Sequence, residues 1–226
     1  MAYAWLVPAL AGAVSAVFAS LVWGQFSARR RPFQLAWALG LSAYSAASFI
    51  EAYVSGNPWS VALYRAYFPL AAATVGLLGL GSVLLARVNA WTALYAALTG
   101  LAVVVALVGP FALPLDSAAF ADAGPSLGAA PVPFSNPGRV AFLVLNIVGG
   151  LALIVGALWS WWRTRRAGVL LIGLGAMLPF AGGSLSDLLH ADVRVLLQLL
   201  GIVVMFAGFL QGREVPSRAA VAVPEA

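Results

Sequence analysis

Seven apolar stretches, at about 3–25, 33–54, 60–86, 90–112, 139–162, 167–189 and 193–212, run through a chain of 226 residues. A helix needs roughly 20 such residues to cross a bilayer, and only a helix or a closed barrel satisfies its backbone inside one. The alternation of polar and apolar residues that marks a barrel is missing. The expected fold is therefore all-α: a polytopic membrane protein, a bundle of seven transmembrane helices. Composition agrees, with 63% hydrophobic and 8% charged residues, far from the soluble average of about half apolar and a quarter charged. The 23 glycines suit helices that approach closely in lipid.

Arginine alone supplies the twelve basic residues. With no lysine there is no Schiff-base attachment for retinal or pyridoxal and no phosphate-loop lysine. With no cysteine and one histidine there is neither a disulfide nor a mixed His/Cys zinc set, so no cofactor and no metal is expected. The net charge of +5 belongs to short loops between spans, which makes it orientation charge and gives no reason to expect nucleic acid. Abundant alanine and arginine with no lysine fit a GC-rich bacterial genome and an inner-membrane location.

Seven spans separate the termini, and the arginine bias sets their sides. With the N-terminus outside, Arg29, Arg30, Arg31, Arg87, Arg163, Arg165, Arg166, Arg213 and Arg218 lie inside, nine of the twelve. Arg65, Arg139 and Arg194 remain outside with Asp116, Asp122, Asp187 and Asp192. The C-terminus is then cytoplasmic. The first span follows a segment without basic side chains, so it reads as a retained anchor. Residues 1–212 form a single transmembrane domain with one long outer loop, 113–138, and residues 213–226 a short cytoplasmic tail. Most tryptophans fall near span ends, at headgroup depth. Internal repeats are not apparent.

Polar side chains within the spans gather in the outer half. In the hairpin turning near Asn57 and Pro58, Glu51 and Arg65 lie at similar depth, roughly 5–8 Å inside the boundary at 1.5 Å per residue, within reach of pairing. A charge at that depth calls for a partner or water. Asn146 lies about two turns inside span five, Asp187 and His190 close span six, and Arg194 and Gln198 open span seven. Trp37, Leu41, Tyr44, Ser48 and Glu51 follow a helical stripe on span two; Arg194, Gln198 and Gly201 follow one on span seven. Both stripes are placed to face one cavity, with Tyr64, Tyr67 and Phe68 as aromatic walls. Pro69, Pro179 and the Gly182-Gly183 step are bending points.

These residues admit two readings. Glu51, Tyr64, Arg65, Tyr67, Asn146, Asp187 and Gln198 form a ligand site, or Glu51 and Arg65 form a structural clasp while the Asp187 group caps helices and meets headgroups. A hydrolytic triad of Ser184, Asp187 and His190 is excluded, because six residues of helix separate serine from histidine by about 9 Å, beyond nucleophile–base contact.

The stretches "RRRPFQLAWALGLSAYSAASFIEAYV" and "VALYRAYFPLAAATVGLLGLGSVLLARVNA" resemble the seven-helix sensor modules at the N-terminus of some bacterial histidine kinases and related signalling proteins. The likeness covers roughly residues 28–90: a basic first inner loop, an inner tryptophan and outer glutamate on span two, and Tyr-Arg-x-Tyr opening span three. It implies a sensing role in which Trp37, Glu51, Tyr64, Arg65 and Tyr67 are the matching positions. It departs from that pattern after Arg213, where no kinase, cyclase or helical output segment is expected, so a signal has to pass through a partner. The leading expectation is an outward-facing polar pocket for a small or amphipathic ligand in a sensor-like or accessory module, with membrane lipid, a small molecule and a membrane protein as partners. The alternatives are a small transporter or channel, which needs matching polar groups in the inner half, and a structural subunit of a membrane complex.

Overall fold

A computed structural model describes residues 4–86, 89–112, 115, 120, 131–184 and 191–213. Seven α-helices occupy them: α1 (Leu6–Arg29), α2 (Pro32–Val54), α3 (Val61–Ala86), α4 (Ala90–Ala112), α5 (Pro137–Thr164), α6 (Ala167–Ser184) and α7 (Ala191–Arg213). Six of them are long and apolar enough to cross a membrane. The exception is α6, whose apolar stretch is the shorter Ala167–Pro179. The architecture is that of a multi-pass membrane protein, and its two ends are named here for Asn57, in the α2–α3 turn, and Arg30, in the α1–α2 turn.

Local chemistry sets the helix ends. Pro32 and Pro137 stand in the first turns of α2 and α5, where a missing N–H costs nothing. The Asn136 side chain accepts from Gly138 N at 2.8 Å and donates to the Gly109 carbonyl at 2.7 Å, so one wholly buried amide caps α5 and ties it to α4. Asn89 and Thr92 cap α4 reciprocally, through Asn89 N to Thr92 Oγ1 at 2.7 Å and Thr92 N to Asn89 Oδ1 at 3.0 Å, the logic of a capping box. Arg30 and Arg165 end α1 and α5 in the left-handed region, with φ of 48° and 55°. Each returns its N–H to a carbonyl four residues back, Phe26 and Trp161, at 2.7 Å.

Packing closes a ring in the order α1, α2, α3, α5, α6, α7 and back to α1, while α4 lies outside it against α3 and α5. Small residues bring the backbones together. A side chain at Gly79 would run into the Gly149 backbone, and one at Gly81 into the Trp37 indole, whose Nε1 donates to the Leu78 carbonyl at 3.1 Å. Between α1 and α2, Ser15 and Ser45 donate to the carbonyls of Leu41 and Gly12, each at 2.9 Å. In lipid such close packing and interhelical bonds hold helices together, since burial from water no longer distinguishes partners.

The middle of the ring is filled. Phe18, Trp37, Leu41, Leu78, Leu153, Ile172 and Met205 meet there around a void of about 10 Å³, at the lower edge of what one water molecule occupies.

Candidate functional site

Toward the Asn57 end, α2 and α3 hold the buried carboxylate that the sequence singles out. Glu51 is 6% exposed and accepts a hydrogen bond from the Tyr67 hydroxyl at 2.7 Å. The turn that presents them is built by short polar contacts: Asn57 Nδ2 and Ser55 Oγ donate to the Tyr53 and Glu51 carbonyls, at 2.9 and 2.8 Å, and Ser60 Oγ accepts from Leu63 N at 3.2 Å at the start of α3. These groups satisfy helix-end carbonyls and amides and fix the register in which position 51 meets position 67.

Aromatic rings surround that bond. Trp59 sits edge-on to Tyr67 and Tyr64, with centroids 5.2 and 6.0 Å apart, and Phe120 edge-on to Tyr64 at 5.4 Å. Phe68 stacks on Phe142 of α5 at 5.0 Å. Tyr64, Tyr67 and Phe68 are all buried, as their i, i+3, i+4 spacing requires if one face of α3 points inward. In such low-polarity surroundings a carboxylate depends on its hydrogen bonds.

Arg65 occupies a different face. Its Nε donates to the Pro110 carbonyl of α4 at 3.1 Å and its guanidinium lies 5.0 Å from the centre of the Phe111 ring. Pro110 stands in the last turn of α4, where carbonyls lack intrahelical partners and the helix dipole favours a cation. The hairpin pairing with Glu51 suggested by equal depth is replaced by this contact, because one residue on from Tyr64 the helix has turned by about 100°. Beside Arg65, α3 and α4 part to leave an open groove of about 660 Å³.

The remaining expected residues are spread out. Asn146 donates to the Phe142 carbonyl one turn back on α5, at 2.9 Å. Gln198 of α7 is half-buried and meets α2 through its backbone, accepting from the Tyr44 hydroxyl at 3.4 Å. Thus the α2 stripe does reach α7, through a long tyrosine. Asp187 and His190 lie outside the described residues, as do Asp116 and Asp122. The structure therefore brings together Glu51, Tyr64 and Tyr67, and sets Arg65 apart.

Comparison with protein-family models, curated proteins and solved structures finds no match for this chain. Geometry alone has to carry the function.

Three contributors lie beyond the residues that the sequence put forward as a site. Trp59, two residues before α3, is nine-tenths buried and belongs to the aromatic wall. Asn136 clamps α5 to α4. Arg139 donates to the Val132 carbonyl at 2.8 Å, with its guanidinium 3.6 Å from the centre of the exposed Phe134 ring, and its buried Nε has no hydrogen-bond partner among the described residues. The Asn-Pro-Gly-Arg run was the available signal: an N-cap followed by a first-turn proline fixes which residues begin the helix and so where Arg139 projects.

Proposed function

We propose that this chain is a seven-span protein of a bacterial inner membrane, N-terminus outside and C-terminus in the cytoplasm, that binds a small or amphipathic ligand at its outer end. It acts as a sensor-like or accessory module and passes its state to a membrane partner. The observation that carries this reading is the buried Glu51–Tyr67 bond inside a wall of Trp59, Tyr64 and Phe68. An ionisable group within a membrane is by default a functional group, and an acid framed by aromatic faces suits a ligand bearing a positive head or a strong donor. Such a ligand competes with Tyr67 for Glu51 and loosens α3 from α2. A ligand shifts helices only to the extent that it favours one arrangement, and Pro69, two residues further into α3, gives the helix a place to bend.

The filled centre of the ring favours a sensor over a transporter, for which these residues would form an outer gate. Orientation has support in the Arg29–Arg31 and Arg163–Arg166 groups, which share the Arg30 end with the exposed Trp91, Trp159 and Trp162, as the positive-inside rule and an aromatic belt require.

The test is thermal unfolding of the protein in phosphatidylcholine nanodiscs with dodecyltrimethylammonium, against an uncharged amphiphile of the same chain length. The cationic probe shifts the transition of the native protein, and Glu51→Gln removes that shift. An equal shift in both proteins would contradict the assignment.

A further inference from the structure

The open groove beside Arg65 is distinct from the aromatic wall and has the form of a lipid site. On α3 its floor is the stripe Ala62, Ala66, Pro69 and Ala73; on α4 its wall includes Leu107 and Phe111. Alanines at the 3-4 spacing leave a hollow where larger side chains would fill the space between two helices. Leu107 and Phe111 are 51% and 60% exposed and continue the apolar outer row of Leu94, Leu98 and Leu101, so the groove opens sideways toward lipid. Its length also fits. Ala62 to Ala73 spans eleven residues of rise, about 16 Å, against about 15 Å for one leaflet of the hydrocarbon core.

Charge singles out the occupant. Arg65 stands about one turn inside the Ala62 end of the groove, and its Nε bond to Pro110 and its place over the Phe111 ring hold the guanidinium against α4. No acidic side chain among the described residues pairs with it, and its two Nη groups have no protein acceptor there. A helical side chain leans toward the N-terminus of its helix, which for α3 is the Asn57 end, so the guanidinium lies beside the last turn of α4. A planar fork of donors there matches a phosphate diester. We infer that the groove between α3 and α4 holds one acyl chain of an anionic phospholipid, whose phosphate is bound by the Nη groups of Arg65.

Native mass spectrometry of the full chain, released from nanodiscs of phosphatidylcholine with a minor fraction of phosphatidylglycerol, tests this directly. The native protein retains one phosphatidylglycerol in preference to phosphatidylcholine. Arg65→Gln lowers that preference about tenfold, the scale of a lost charged hydrogen bond, whereas Arg139→Gln, which removes another arginine at the same end, leaves it unchanged. Ala66→Leu fills the hollow and lowers retention of both lipids. Oleate added in excess does not displace the phospholipid; displacement would assign the groove to a free fatty acid and overturn the inference. So would undiminished retention in Arg65→Gln and Ala66→Leu, each first shown to unfold cooperatively. Since Glu51→Gln leaves retention intact, failure here is separable from failure of the cationic-probe experiment.

Discussion

Glu51 keeps its place because a tyrosine sixteen residues later returns to it. Replacing Tyr67 with phenylalanine preserves the ring packing against Trp59 and removes only the hydroxyl, so the loss of stability is about 1–3 kcal/mol, the range for a buried charged acceptor deprived of a donor. Chemical unfolding in detergent measures it. Depth alone put Glu51 beside the start of α3, within reach of Arg65; the structure gives it Tyr67 and turns Arg65 to α4. Tyr64, Tyr67 and Phe68 define the inward face of α3, and a residue at i+1 cannot share it. Angular position was therefore legible in the tyrosine spacing, even though equal depth alone favoured the arginine.

Among the elements, α3 joins most of the structure: its inward aromatics meet Glu51, its glycines meet α5, and its alanine stripe faces α4. At Gly79 the Gly149 backbone leaves no room for a side chain. Gly79→Leu therefore forces α3 and α5 apart, at a cost of about 1–3 kcal/mol or more, read as a lowered unfolding temperature. Among the described residues, nothing beyond its own helical turns comes within 4 Å of a Cβ added at Gly100 on α4. There Gly100→Ala is neutral or stabilises by up to about 1 kcal/mol through helix propensity. Helix boundaries were largely readable, since prolines, Asn57 and the arginine turns interrupt the apolar runs. The start of α5 at Pro137 rather than residue 139 follows from the Asn136 cap. The apolar run drawn to residue 189 continues beyond Ser184 into residues outside the described set. Which helices adjoin was not readable, because helices that are apolar on every side carry little amphipathic signal; the small residues that decide contacts do not name their partners.

For the molecule as a whole, a ring filled at the layer of Phe18, Leu41 and Met205, with α4 outlying, carries a polar cluster at one end. Its orientation is testable in a chain without cysteine. A membrane-impermeant maleimide labels Asn57→Cys in intact cells and Ala28→Cys only after lysis; the reverse pattern inverts the topology. The central claim is that displacement of Tyr67 from Glu51 moves α3, and with it the packing around the ring. Spin labels at Tyr53→Cys on α2 and Val140→Cys on α5, both exposed, report that movement by electron–electron distance measurement in nanodiscs. With dodecyltrimethylammonium the distance distribution changes in the otherwise native protein and stays fixed when Glu51→Gln is added. An unchanged distribution in the first, or the same change in both, would contradict the claim.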